Sequence, residues 1–394
     1  MSDVVPLEEV VEIMGGGTPS RSVKEYWGGP IPWATVKDFK STTLDSTSES
    51  ITRQGVENSA TNIVPAGAII VPTRMAVGKA AISAIDLAIN QDLKAILPNE
   101  NVDRRFLLHF LLSQASFLKS RAQGATVKGI KLDLLRSLPF PRLPIEEQRG
   151  IAAIMDKAAS IRSKSERALE LADNFSKSAY VHMVGHEHPD HESWMPTRLE
   201  QLAEHHKGSM RTGPFGSALR HSEFANEGIA VLGIDNAVQN RFAWGERRYI
   251  TQDKYSELTR YRVLPGDVII TIMGTTGRSA VIPDNIPEAI TTKHLAAITC
   301  DSKKVLPEFL SFAVHSDPLV IGQIEQANKG AIMQGLNLGI IKKLEINVPP
   351  LDAQRDFVRV LKKTTEINNN FSTGLGSGDD LYASISQHVF YGEL

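Results

Sequence analysis

The sequence predicts an α+β protein: two mixed α/β globular domains in tandem, each followed by a long helix, the two helices packing as an antiparallel coiled-coil spacer about an internal pseudo-two-fold. Three observations lead there. The chain has 394 residues, 42% of them apolar, more than a single core organises at about 100 to 200 residues per domain. It repeats itself: "GATVKGIKLDLLRSLPFPRLPIEEQR" (Gly124 to Arg149) aligns without a gap onto "GAIMQGLNLGIIKKLEINVPPLDAQR" (Gly330 to Arg355), pairing Gly129 with Gly335, Leu132 with Leu338, Pro144 with Pro350 and Gln148 with Gln354. After each copy of the Gln-Arg pair, apolar residues recur at helical spacing.

The elements follow in chain order. Residues 1–143 read as the first domain: a loop, "GGGTPSRSVKEYWGG", a β-branched run, "GAIIVPT", after a Pro/Gly turn, and a helical "RRFLLHFLLSQASFLKSRA". Residues 144–185 read as the first long helix, with a seam at Ile151, Ile154, Ala158, Ile161, Ala168, Ala172, Phe175 and Ala179 in the alternating three-and-four spacing of a coiled coil. Residues 186–349 repeat the domain. "LPGDVIITIMGTTGRSAVI" pairs with "VPAGAIIVPTRMAVGKAAI", matching Gly67 with Gly266 and Gly78 with Gly277, and "PEFLSFAVHSDPLVIGQIEQA" is helical. Residues 350–394 hold the second long helix, with its seam at Phe357, Val360, Ile367, Phe371, Leu381 and Ile385. Its "STGLGSGDD" stretch (372–380) carries three glycines, each costing about 1 kcal/mol in a helix interior, so a break is expected there. A helix of about 35 to 40 residues is ~55 to 60 Å long.

Composition narrows the chemistry. The net charge is −2 and the pI about 6.6, and the domains hold 16 basic against 14 acidic side chains (1–143) and 17 against 19 (186–350), so nucleic-acid affinity has to come from local placement or from a partner. One cysteine, Cys300, rules out an internal disulfide framework, and "MSDVVPLEEV" lacks a secretory layout. The longest apolar runs fall short of a bilayer span, so a cytoplasmic protein without membrane contact is expected. "HEHPDH" (186–191) with His182 lacks the spacing of a ligand set and reads as a solvated linker. "INVPPL" reads as a strand end leading into a helix, and "GTTGRS" is too short for a phosphate-binding loop. No Ser-His-Asp or Cys-His arrangement stands out, and Trp33 and Trp244 read as core before contact. Neither a catalytic nor a metal-ligating residue is assigned, and no cofactor.

With the motifs in place, the chain resembles the specificity subunit (HsdS type) of type I restriction-modification systems. The resemblance rests on "GGGTPSR", "IPWATVKDF" and "AINQDLKAILP" in the first copy, "GPFGS" and "LPGDVIIT" with "GTTGR" in the second, the twice-used Gln-Arg helix start, and the ending "ISQHVFYGEL". It covers nearly the whole chain. It implies that each domain reads one half of a split double-stranded DNA site, that the paired helices space the readers about one 34 Å turn of B-DNA apart, and that two modification (adenine methyltransferase) subunits dock on the helical regions. S-adenosylmethionine would belong to those subunits, restriction (nuclease and translocase) subunits could join, and the chain itself would be non-catalytic. The glycine-rich stretch departs from the family pattern. Because the two copies diverge, the half-sites should differ.

Loop placement nominates the readers: Thr18, Ser20, Arg21, Lys37, Arg74 and Lys79 in the first domain, and Arg211, Ser217, Arg220, Asn236, Thr276 and Arg278 in the second. These polar and basic side chains sit on Gly-rich loops or strand ends, where they could reach guanine edges or phosphate. Gln148, Arg149, Gln354 and Arg355 are expected on outward faces as docking residues. Two other readings compete: a coiled-coil scaffold or adaptor, which leaves the loop-bearing domains idle, and a stand-alone DNA methyltransferase or nuclease, which would need a cofactor or metal motif.

Overall fold

A computed structural model describes residues 4–124, 128–329 and 335–391; parts of the repeated "GATVKG" and "GAIMQG" stretches and the last three residues of "ISQHVFYGEL" lie outside the described residues. The chain divides into two compact units, residues 1–167 with 371–394, and residues 168–370.

The first unit holds a five-stranded sheet in the order Val11–Gly15, Leu93–Pro98, Ile69–Pro72, Ala81–Ser83, Thr43–Leu44, antiparallel except for its last pair. A four-stranded sheet runs Glu49–Ile51, Trp27–Ala34, Leu87–Ile89, Ile63–Val64, with a parallel central pair. Val4–Pro6 pairs with Pro139–Pro141, tying the two ends of the domain together. The second unit repeats this plan. Its sheets run Met210–Thr212, Leu295–Ile298, Val268–Thr271, Ser279–Val281, and Phe224–Ala225, Tyr249–Ile250, Ile229–Leu232, Ala289–Thr291, again with one parallel pair. Pro196–Arg198 closes the domain against Glu345–Asn347. The repeat therefore extends from sequence to strand order.

The β-branched runs become central strands because both faces are covered: Ile69–Pro72 and Val268–Thr271 are buried throughout. Paired glycines mark the turns around them. Gly78 (φ +89°) and Gly277 (φ +81°) adopt left-handed backbone, and a Cβ there would stand 3.0 Å from Ala115 and from Ile324 respectively. Against each sheet packs a helix, Arg104–Ser113 and Pro307–Ser316, whose Phe106, Phe110 and Phe309 are fully buried.

The long helices span Ile145–Met183 and Leu351–Ser386, and the "STGLGSGDD" stretch stays helical, correcting the expected break. Tertiary packing outweighs intrinsic propensity here. A Cβ at Gly378 would lie 3.8 Å from Ala158 O, and one at Gly374 3.9 Å from Ser165 Oγ, so two of the three glycines face the partner helix at ordinary contact distance. Within each unit the helices run antiparallel: Arg162 pairs with Asp379 at 3.2 Å in the first, and Ser176 Oγ donates to Thr364 Oγ1 at 3.0 Å in the second.

The seam is also corrected. Ile154, Ile161, Phe175, Ile367, Phe371 and Leu381 are exposed, while Ala158 and Phe357 of the expected seam are buried; the other buried positions of the central helix are Gln148, Ala152, Met155, Ser165, Ser176 and Tyr180. The start of the helix explains the shift. Gln148 and Ala152 are buried against the domain, which sets the rotation of the helix, and Ile154 is left 52% exposed. Small residues on the inward face then allow the helices to approach.

Each domain is keyed to its own helix by a charge pair of opposite sense. Arg105 meets Asp156 at 3.0 Å in the first unit; at the corresponding positions of the second, Glu308 meets Lys362 at 2.8 Å. Lys362→Glu should lower the stability of the full chain by about 0.5 to 1 kcal/mol, the scale of a partly exposed pair, and adding Glu308→Lys should recover most of it in a denaturant melt. No recovery would mean that the pair does not act as a key.

Candidate nucleic-acid interface

In the first unit the Gly-rich loop is fastened by two indoles: Trp33 Nε1 donates to Gly17 O and Trp27 Nε1 to Ser20 O, both at 3.1 Å. The buried Trp33 is thus core, as the sequence suggests. Above Trp27, at 3.8 Å from its ring centroid, the Arg21 guanidinium forks onto Glu49, with Nη2 to Oε2 at 2.9 Å. The hydrogen bond from Arg21 holds the Glu49 carboxyl below its usual range, and the exposed Lys37 lies near enough to contribute. Thr18 donates to Gln91, and Ser20 shares a 2.8 Å hydrogen bond with Ser22. Thr18, Ser20, Arg21, Lys37 and Gln91 thereby gather on one exposed corner. Arg74, 3.6 Å from Asp92, lines an adjoining cleft of about 650 Å³ with Gln91, Arg121, Gln123 and Lys131. Lys79 turns back to donate to Phe39 O at 3.2 Å.

In the second unit Ser217 and Arg220 are exposed on the loop before Phe224–Ala225, and Arg220 donates its backbone N–H to Glu223 at 2.6 Å. Arg278 is exposed at a strand end and lines two clefts of about 590 Å³ each. Thr276 accepts from Asn328 Nδ2 at 2.8 Å. A further corner holds Arg248 against Asp235 at 2.8 Å and Glu246 at 3.5 Å. Beside it Arg247 covers the ring of the partly exposed Trp244 at 3.7 Å, with Phe242 edge-on at 5.2 Å. Burial holds His294 below the usual imidazole range, with Lys293 and Arg248 adding to the effect.

Four nominated residues face inward. Arg211 is 10% exposed and donates to Arg262 O at 2.7 Å, Gly208 O at 3.1 Å, Thr299 Oγ1 at 3.1 Å and the fully buried Asp267. Asn236 is buried and stitches its own loop, accepting from Gly233 N at 2.8 Å and donating to Ala243 O at 2.9 Å. Neither side chain is free to meet a base. Gln148 and Gln354, expected on outward faces, are buried as well: each fastens its helix start to the chain before the packing helix of its domain. Arg149 and Arg355 remain outward, paired with Glu146 and Asp352 at 2.6 Å.

Sequence reading passed over Gln91, Arg121 and Lys131, which distant segments deliver to the first corner and its adjoining cleft, and Glu246 to Arg248, while Trp244, read as core, is 38% exposed. The run "WGERR" carried a usable signal, an aromatic beside paired arginines. Among the described residues no group of three or more His, Cys, Asp or Glu could hold a metal ion, and no helix is long and apolar enough to cross a membrane. Burial pushes the Cys300 thiol up to about 12, which removes it as a thiolate nucleophile. The arrangement presents hydrogen-bond donors, acceptors and stacked guanidinium groups on loops, chemistry suited to phosphate and base edges.

The model of the type I restriction modification DNA specificity domain matches the chain twice, over residues 2–171 and 192–375. The chain belongs to that family. It is 35% identical over 158 residues to the EcoR124I/EcoR124II specificity subunit of Escherichia coli, covering 38% of this chain and 39% of that one. It is 31% identical over 176 residues to the MjaIX specificity subunit of Methanocaldococcus jannaschii, covering 43% and 41%. The chain thus matches about two-fifths of the length of each of these relatives. The S subunit of a type I restriction-modification system from M. genitalium has the same fold, with a TM-score of 0.64 at 13% identity over 98% of this chain and 95% of that one. A solved chain from work on assembly and conformational transition of the type I R-M system gives 0.51 at 16% identity over 99% and 98%.

Proposed function

We propose that this chain is the DNA-reading subunit of a type I restriction-modification complex. Each α/β domain recognises one half of an interrupted double-stranded site, and modification subunits, two per chain, methylate adenine with the S-adenosylmethionine that they hold. Restriction subunits are further partners. The chain is non-catalytic and determines where the complex acts. The observation that carries this reading is the repeated domain whose exposed corner keeps its framework while its charged side chains differ. Two copies of one reader with different tips suit two different half-sites. Exposed apolar side chains on the helices support docking there: Ile154, Ile161 and Phe371 in the first unit, Leu171, Phe175 and Ile367 in the second. Arg149 and Arg355 are exposed at the starts of the same helices.

The test pairs two measurements. Purified chain with labelled S-adenosylmethionine and DNA should incorporate no label, whereas the complex with its modification subunits should. Replacing Arg21 and Lys79 together should degrade recognition of one half-site, and replacing Arg220 and Arg278 only the other. Incorporation by the chain alone, or equal damage to both half-sites from either pair, would overturn the proposal.

A further inference from the structure

The hydrogen-bond register of the two domains brings one corner of each into correspondence. At the end of the parallel pair Trp27–Ala34 and Leu87–Ile89, Asn90 N donates to Ala34 O at 3.1 Å; at the end of the parallel pair Ile229–Leu232 and Ala289–Thr291, Thr292 N donates to Leu232 O at 2.8 Å. Ala34 and Leu232 are therefore equivalent. The turn that follows is closed in the same way in both domains. Asp38 Oδ2 accepts from Thr35 N at 2.7 Å and Asn236 Oδ1 from Gly233 N at 2.8 Å, so Lys37 and Asp235 occupy one position. On the neighbouring antiparallel strand Trp33 stands opposite Glu49, while Val231 N donates to Arg248 O at 2.9 Å, so Glu49 and Arg248 occupy another.

At both positions the charge is reversed. The first corner gathers two cations, Lys37 and Arg21, around the Glu49 carboxylate. The second gathers two carboxylates, Asp235 and Glu246, around the Arg248 guanidinium, at the rim of a cleft of about 540 Å³ that also includes His221 and His294. The backbone scaffold is common, so only the tips differ. In the first corner packing does not demand the exchange, because Lys37 is exposed and the Arg21 side chain is 55% exposed; in the second Glu246 is 80% exposed, while Arg248 and Asp235 are 25% and 31% exposed. A position pair held on one scaffold with inverted polarity is what two readers of unlike base edges require: guanine offers two acceptors in the major groove, whereas cytosine and adenine offer an amino donor.

Resting on the DNA-reading function above, we propose that this corner selects base identity in each half-site. The first corner donates to the acceptor edge of a guanine through Lys37 and Arg21. The second accepts an exocyclic amino group of cytosine or adenine through the exposed Glu246, kept in place by Arg248, which Asp235 holds from the other side.

The experiment maps modified adenines in DNA from cells that express the full chain with its modification subunits. Lys37→Asp with Glu49→Arg gives the first corner the polarity of the second, and Asp235→Lys with Arg248→Glu does the reverse. Each double exchange keeps opposite charges at the two equivalent positions, and it leaves Arg21 in the first corner and Glu246 in the second beside a like charge. The single variants Lys37→Gln and Glu246→Gln, on exposed side chains, serve where a double variant melts early. The expected result is a change of about tenfold or more in preference at one base pair of one half-site per variant, the other half-site unchanged. Folded variants that direct the wild-type sequence unaltered, or that change both half-sites, would overturn the inference. If the wild-type complex modified no two-part sequence at all, the DNA-reading function itself would fall, a result visible before any variant is made.

Discussion

Arg211→Met is expected to destabilise the second domain by about 3 to 5 kcal/mol, the scale for removing one partner of a buried ion pair. Asp267 is fully buried and would lose its counter-ion, retaining only the hydrogen bonds from Leu264 N at 2.8 Å and Thr299 Oγ1 at 2.6 Å. Arg262 O and Gly208 O would lose a donor as well. Adding Asp267→Leu should recover part of the loss, because an apolar pair in the same space carries no stranded charge. A denaturant melt of the full chain measures both. A reader of DNA would behave in the opposite way: the variant would melt like the wild type and lose only its half-site.

Gln354→Ala should cost about 3 kcal/mol, since each buried polar group left without a partner costs roughly 1 to 3 kcal/mol and the site relaxes only in part. Gln354 Oε1 accepts from Leu306 N at 2.8 Å, and its Nε2 donates to Lys304 O at 3.1 Å and Pro349 O at 2.8 Å. Gln148 does the same in the first unit, accepting from Asp103 N at 2.9 Å and donating to Asn101 O at 3.0 Å and Leu143 O at 2.8 Å. The neighbouring Arg355, its side chain 56% exposed and paired to Asp352 on its own helix, provides the contrast. Arg355→Ala should stay within about 0.5 kcal/mol of wild type and is the substitution that reports on partner docking. Equal melting of the Gln354→Ala and Arg355→Ala proteins would show that the buried amide is not the fastening.

The twice-used "Gln-Arg" helix start illustrates how far the residues could be read. The repeat marked Gln148 and Gln354 as equivalent, and the structure keeps them so down to the same three hydrogen bonds. What repetition cannot say is which way a side chain faces. A polar residue at the first turn of a helix suggests solvent, and here the loop before the packing helix of the domain supplies an N–H and a carbonyl that draw the amide inward. The seam held at Ala158 and Phe357 but failed at six other positions for a related reason. Ile154 and Ile161 fit a three-and-four spacing well, but periodicity defines stripes without saying which stripe meets the neighbour, and the domain had already turned the helix.

The sequence by itself determined the α+β class, the duplicated domain, the two long helices and the family, because repeated glycines, β-branched runs and helix starts are local chemistry carried in a short window. Tertiary structure decided the rest. It kept "STGLGSGDD" helical, with Gly378 and Gly374 facing Ala158 and Ser165 of the partner helix. It withdrew Arg211 and Asn236 from the surface. It brought Gln91 to Thr18 and Arg21 to Glu49, contacts between residues 73 and 28 positions apart. Such contacts depend on how sheets align in space, and no local spacing of residues encodes the alignment.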